Sequence, residues 1–218
     1  MITKYGYNTI GVALIIIFVL IVISLLNSNL YVKWSLIVLS VVILIFTLNF
    51  FRDPERTTPD REKIVVSPAD GTVMLIKEVV DNKFVNGDAW QISVFMSPLN
   101  VHVNRIPISG KVEYLRYVEG EYLVAYHDKA DERNERSEIG IDSKYGRVLF
   151  TQVAGAVARR IVYDLNIGDT VKIGERFGMI KFGSRVDVIV DKSSWKPMVS
   201  VEQKVSAGET ILFEKIDD

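Results

Sequence analysis

The chain opens on two long apolar stretches and then changes character. From Ile10 to Leu26 the only polar side chain is Ser24, and no charge occurs between Tyr5 and Val32. The second stretch, Trp34 to Phe51, is also uncharged, with Ser35, Ser40, Thr47 and Asn49 as its polar members. At about 1.5 Å per residue each run approaches the roughly 30 Å hydrocarbon core of a bilayer. Asn27-Ser28-Asn29 reads as a tight connection, leaving Lys33 alone in the short loop. A helical hairpin satisfies its backbone within lipid, so the pattern predicts a two-helix transmembrane hairpin, helices about 10–26 and 34–51. A signal peptide followed by a buried helix is the alternative. It lacks a small-x-small cleavage site, and a second long run follows at once.

Beyond Pro54 and Pro59 the period shortens. Ile64-Val65-Val66 precedes Ser67-Pro68, Asp70-Gly71 precedes Thr72 to Ile76, and Trp90 to Phe95 alternates as a half-buried strand does. Val148–Val153 and Ile173–Val190 read the same way. Glycine-marked turns recur at Gly168-Asp169, Gly174-Glu175 and Gly208-Glu209. The charged segment His127–Glu138 reads as a solvated loop or helix face, and Gly155 to Arg160 suits a short helix. The predicted architecture is mainly β with short helices (α+β): a compact barrel- or sandwich-like domain over 64–218, preceded by an anchor and linker over 1–63.

Charge narrows the function classes. Lys4 and Lys33 are the only charges in residues 1–50, leaving 24 basic against 27 acidic side chains in the remainder. That gives no basic face for nucleic acid and no bulk attraction to an anionic membrane. There is no Cys, which excludes disulfides, Cys metal sites and thiol catalysis, and with two His a His-rich metal centre has nothing to draw on. Arg52, Arg56, Arg61 and Lys63 crowd the far end of the second apolar run, so the positive-inside rule puts the C-terminal domain and Lys4 on the cytoplasmic side of the cell membrane.

The stretch Lys181-Phe182-Gly183-Ser184-Arg185-Val186-Asp187 carries the most distinctive chemistry. A Gly-Ser pair between strands is by itself a turn or bulge. Gly183 lacks Cβ, however, so its backbone tolerates strain and its carbonyl can be approached closely. Ser184 can attack that carbonyl and convert the amide to an ester. β-Elimination then leaves dehydroalanine, which hydrolyses to a pyruvoyl group and ammonia. The products are a large chain 1–183 and a small chain 184–218. A terminal ketone is an electron sink that forms a Schiff base with an amine, as the pyridoxal cofactor does. Two other segments offer helpers. Ser67-Pro68-Ala69-Asp70-Gly71 puts Asp70 at a tight turn, and Met96 to Pro107 carries His102. His127 lies in the charged segment, so His102 is the better base for Ser184, with Asp70 to orient it.

Taken jointly, SPADG at 67–71, FMSPLNVHVNRIP at 95–107, NER at 134–136, AGAVARRI at 154–161 and GERFGMIKFGSRVDV at 174–188 resemble the short form of the phosphatidylserine decarboxylases. The resemblance spans the whole domain after the anchor. It implies a pyruvoyl-dependent carbon–carbon lyase, made as a zymogen, that removes CO2 from the serine headgroup of a phospholipid and yields phosphatidylethanolamine. It implies that Ser184 becomes the pyruvoyl group, that Asp70 and a His assist self-cleavage, and that a His assists decarboxylation. The sequence departs from the longer enzymes at two places. Those have Leu-Gly-Ser-Thr where this chain has Phe182-Gly183-Ser184-Arg185. They carry a second His where Arg105 stands, and that His is the one paired with the Asp. Either His102 serves both steps or the base is another group. His102 is also the candidate acid that protonates the carbanion left by CO2. Arg105, Arg159, Arg160 and Arg185 are candidates for the lipid phosphate, Arg105 first for its nearness to His102. An archaeal ether lipid presents the same serine headgroup and is left open, as is a homo-oligomer. Two rivals belong to other classes: a non-enzymatic, membrane-tethered lipoyl-like β domain, which lacks its modified Lys at a hairpin, and a two-helix Ser/Lys protease, whose domain would lie on the opposite side of the membrane.

Overall fold

The computed structural model describes residues 1–120, 134–155, 160–181 and 184–216, with backbone alone at Arg160 and Ser184. The chain divides into two compact units, Met1–Pro54 and Glu55–Asp218.

The first unit is a helical hairpin. A 3-10 turn, Lys4–Gly6, leads into α1 (Tyr7–Leu26), and α2 spans Leu30–Phe50. Both helices are long and apolar enough to cross a membrane. Their apolar side chains point outward all round: Ile15, Phe18, Leu25, Val38 and Ile45 are exposed. Such an apolar surface all round is compatible with a membrane-spanning helix. One expectation is corrected at the connection. Asn29 caps α2, its side chain accepting from the Tyr31 and Val32 N–H groups, so the helix starts at Leu30. Lys33 therefore lies in the first turn of α2, not in the loop. Ser24 donates its hydroxyl to the Lys33 carbonyl at 2.9 Å, which ties the two helices together. At the other end the Thr3 N–H donates to the Phe51 carbonyl and the Asp53 N–H to that of Met1. Lys4 and Arg52 thus share one end of the hairpin, with Lys33 at the other.

The second unit is built of strands. In chain order they are β1 (Ile64–Val66), β2 (Gly71–Asp81), β3 (Gly87–Met96), β4 (Val103–Arg105), β5 (Gly110–Val118), β6 (Arg136–Ser143), β7 (Gly146–Ala154), β8 (Arg160–Tyr163), β9 (Thr170–Val171), β10 (Arg176–Lys181), β11 (Ser184–Asp191), β12 (Trp195–Pro197), β13 (Lys204–Val205) and β14 (Ile211–Lys215). They form a large sheet, β13-β2-β3-β11-β7-β6-β5-β9, and two small ones, β4-β10-β8 and β1-β14-β12. Among the described residues every strand pairing is antiparallel, in keeping with the alternating pattern. One face of the large sheet (Val73, Ile92, Val94, Ile141, Phe150, Val186, Val188) joins Phe177, Ile180, Leu212 and Phe213 of the small sheets in a single core. Phe150 and Phe177 meet edge to face at 5.3 Å.

On the opposite face of the large sheet the polar side chains of Gln91, Ser93, Glu138 and Asp187 are buried, and here the charged segment departs from expectation. Residues 121–133, including His127, lie outside the described residues, but Arg136–Glu138 belong to β6 and are not a solvated face. Glu138 is fully buried. It accepts from Lys83 Nζ at 2.6 Å, Arg136 Nε at 3.0 Å and the Tyr114 hydroxyl at 2.9 Å. Burial pushes its carboxyl up, but the hydrogen bonds and the Lys83 charge outweigh burial and hold it below the ordinary carboxylate range. The helix expected over Gly155–Arg160 falls on residues 156–159, which are outside the description, while Arg160 itself opens strand β8.

Candidate active site

Three of the motif segments are crossovers between the same two sheets. From Met96, the last residue of β3, the chain leaves the large sheet and enters a small one at Val103 in β4. From Ala154, at the end of β7, it passes to Arg160 in β8. From Lys181, at the end of β10, it returns through Phe182 and Gly183 to Ser184 in β11. The registers align these passages. Ser184 pairs with Met96 on one side and Ala154 on the other. Lys181 pairs with Arg160, and Met179 with Val103. The Gly183–Ser184 bond, of which Gly183 lies outside the described residues, thus belongs to the middle one of three adjacent crossovers. His102 ends one flanking crossover. Arg159, also outside the description, belongs to the other.

His102 is fully buried. Its Nδ1 stands 3.0 Å from the Asn100 carbonyl oxygen. A carbonyl only accepts, so Nδ1 carries a hydrogen, and in the neutral imidazole the lone pair is then on Nε2. The neighbouring strand β4 is fixed by polar bonds. The Arg105 N–H and the Asn104 amide both donate to the Pro68 carbonyl, at 2.9 and 3.3 Å. Gln152 of β7 donates its amide to Asn104 Oδ1 at 2.8 Å. Asn104 and Gln152 are fully buried and join the SPADG turn, the His102 strand and the strand beside Ser184. Asn134 adds a further tie, donating to the Ala154 carbonyl at 2.7 Å.

Asp70 stands on the SPADG turn, where its Oδ1 accepts from the Ala207 N–H at 2.8 Å and its Oδ2 from Arg56 at 2.7 Å. The wall it belongs to encloses a cavity of about 440 Å³, lined also by Phe95, Ser97, Asn100 and Lys204. That volume lies in the range of small-molecule sites, about 300–1,000 Å³.

The arginines divide. Arg105 is buried and donates to the Gly174 carbonyl at 2.9 Å. Its aliphatic stem lies against Gly208, where an added Cβ would come within 2.9 Å of Arg105 Cδ; Gly208 also holds the left-handed φ of +75°. Arg185, 1% exposed, forms a two-pronged ion pair with Asp187, both contacts at 2.9 Å. These two guanidinium groups are engaged internally. Lys204, exposed on β13, is the cation on the cavity wall among the described residues. Sequence reasoning missed Lys204, Asn104, Gln152 and Arg56. Only Asn104 gave a signal, by standing inside the quoted His102 motif.

A phosphatidylserine decarboxylase family model matches residues 43–213. The chain belongs to that family. It is 53% identical over 173 residues to the phosphatidylserine decarboxylase proenzyme of Chlorobium phaeobacteroides (strain DSM 266), covering 79% of this chain and 81% of that one. Its likeness to the proenzyme of Chlorobium chlorochromatii (strain CaD3) is 48% over 214 residues, 97% of this chain and 99% of the other. Against the Salinibacter ruber proenzyme it is 51% over 187 residues, 83% and 80% respectively. As a member of the phosphatidylserine decarboxylase family the chain is a decarboxylase, a carbon–carbon lyase.

Proposed function

We propose that this chain converts phosphatidylserine to phosphatidylethanolamine after cutting its own Gly183–Ser184 bond. The observation that carries the reading is the position of Ser184. It heads the strand between β3 and β7, at the middle of three crossovers, one of whose neighbours ends on the buried His102. The surroundings suit a pyruvoyl group there: the strand residues paired with Ser184 are the apolar Met96 and Ala154, and both are fully buried.

In the precursor, His102 Nε2 takes the Ser184 hydroxyl proton as Oγ attacks the Gly183 carbonyl. The C–N bond breaks as its nitrogen takes a proton, and the new ester then loses the Ser184 α-proton and eliminates, leaving the Gly183 carboxylate and a dehydroalanine that water hydrolyses to the terminal pyruvoyl with release of ammonia. Asp70, fixed by Arg56 and the Ala207 N–H, is the carboxylate that assists this self-cleavage. Once formed, the ketone supplies the electron sink for loss of CO2. His102 holds the proton that replaces the carboxylate on the substrate carbon. With Arg105 and Arg185 engaged internally, Lys204 on the cavity wall takes the lipid phosphate. The large chain 1–183 and small chain 184–218 stay joined through the β1–β14, β2–β13, β3–β11 and β7–β11 pairings. Lys4 and Arg52 at one end of the hairpin, against Lys33 at the other, support a catalytic domain on the cytoplasmic side.

Intact-mass analysis of the purified protein, with decarboxylation of phosphatidylserine vesicles, tests this. Two chains are expected, the smaller blocked to Edman sequencing, and Ser184→Ala should remain one inactive 24.7 kDa chain. An active preparation consisting of a single uncut chain would overturn the proposal.

A further inference from the structure

The segment that follows the apolar unit is stitched along the β unit. Arg176 pairs with Glu55 at 3.1 Å, Lys144 with Glu62 at 2.9 Å, and Arg61 with Glu214. The Lys215 N–H donates to the Lys63 carbonyl at 2.9 Å. Exposed pairs of this kind contribute little stability. Arg56 differs from them. Its side chain is only 17% exposed, and it bridges two carboxylates, donating to Asp70 Oδ2 at 2.7 Å and to Glu209 Oε2 at 2.9 Å. Glu209 is held in turn by the Thr57 N–H at 3.2 Å. The opposite Asp70 oxygen accepts from Ala207 at 2.8 Å. Asp70 therefore has both oxygens fixed, one from residues before the SPADG turn and one from the turn between β13 and β14.

We propose that Arg56 is a positioning residue for self-cleavage, acting through Asp70. Two consequences follow from its geometry. A guanidinium at 2.7 Å fixes the Asp70 carboxylate in one orientation. Its second bond, to Glu209, ties that orientation to the segment 184–218, so Asp70 is aligned only when this segment is docked. The inference rests on the reading of Asp70 as a participant in maturation.

The test follows precursor cleavage in time, by cell-free synthesis of the full chain into phospholipid nanodiscs, for Arg56→Ala, Arg56→Lys, Glu209→Gln and Asp70→Asn. Decarboxylation is then measured per mole of pyruvoyl in the matured fraction. Arg56→Ala should slow cleavage by roughly 10–100-fold, the scale of one charge-assisted hydrogen bond. Arg56→Lys should recover part of the rate, and Glu209→Gln should slow it less than Arg56→Ala. Turnover per pyruvoyl should stay within about twofold of the parent, a split that general damage to the fold would not produce. If Asp70→Asn blocks cleavage while Arg56→Ala matures at the parent rate, the inference falls and the reading of Asp70 stands. If Asp70→Asn itself matures normally, that reading falls and takes the inference with it. Equal loss of cleavage and turnover in both Arg56 variants would reduce Arg56 to a structural part.

Discussion

Replacing Asn104 by Ala probes the polar joint that holds the site's strands together. The substitution strands one buried donor, Gln152 Nε2, which loses its 2.8 Å acceptor. The Pro68 carbonyl loses the 3.3 Å bond from the Asn104 amide but keeps the Arg105 N–H at 2.9 Å. An unmet buried amide costs about 1–3 kcal/mol, and the space left by the truncated side chain adds roughly 1 kcal/mol, for a total near 3 kcal/mol. For a domain of this size each kcal/mol moves the melting temperature by roughly 2–4 °C, so a fall of about 6–12 °C is expected. Thermal denaturation of the detergent-solubilised Ser184→Ala background measures this without interference from cleavage. The partner test is Gln152→Leu. In the double variant no donor is stranded, so the two losses should fall short of additivity by about 1 kcal/mol or more. Additive losses, or a fall under about 2 °C for Asn104→Ala, would refute the claim that these two amides form one joint. In the Ser184 parent, Asn104→Ala should also slow cleavage, since it frees the strand that follows His102.

Glu138 gives a pH signature. Its carboxyl lies below the ordinary 4.5 in the folded state. The stability it contributes is therefore present above that value and lost as pH falls through the folded value. Glu138→Gln should cost about 3 kcal/mol at neutral pH, and its stability should fall less steeply than the parent's below about pH 4.5 in acid denaturation. Lys204→Ala should raise KM for phosphatidylserine severalfold with little change in kcat, most visibly at low salt; an unchanged KM would remove Lys204 from the substrate site.

Much of the architecture was legible before folding. The apolar runs announced two helices because each is uncharged over nearly its whole length, and the alternation at Trp90–Phe95 and Val148–Val153 announced strands with one buried face. The family was legible because its motifs are local strings. Helix ends were less so: a run counted by apolarity starts α2 after Lys33, whereas the Asn29 cap starts it at Leu30. The charged stretch misled because charge density alone cannot reveal that Lys83, 55 residues away in sequence, arrives to neutralise Glu138.

The amino-acid order alone therefore determined the hairpin, the β character of the remainder, and the motif strings that mark the family, since each depends on short-range pattern. Tertiary structure decided how those segments meet. It aligned three crossovers around Ser184 through strand register, and it turned Arg105 and Arg185 inward to Gly174 and Asp187. It also brought Arg56 to Asp70 and to Glu209, the latter 153 residues on. Register and long-range ion pairs arise from chain segments that are neighbours only in space, which is why no string of residues announces them.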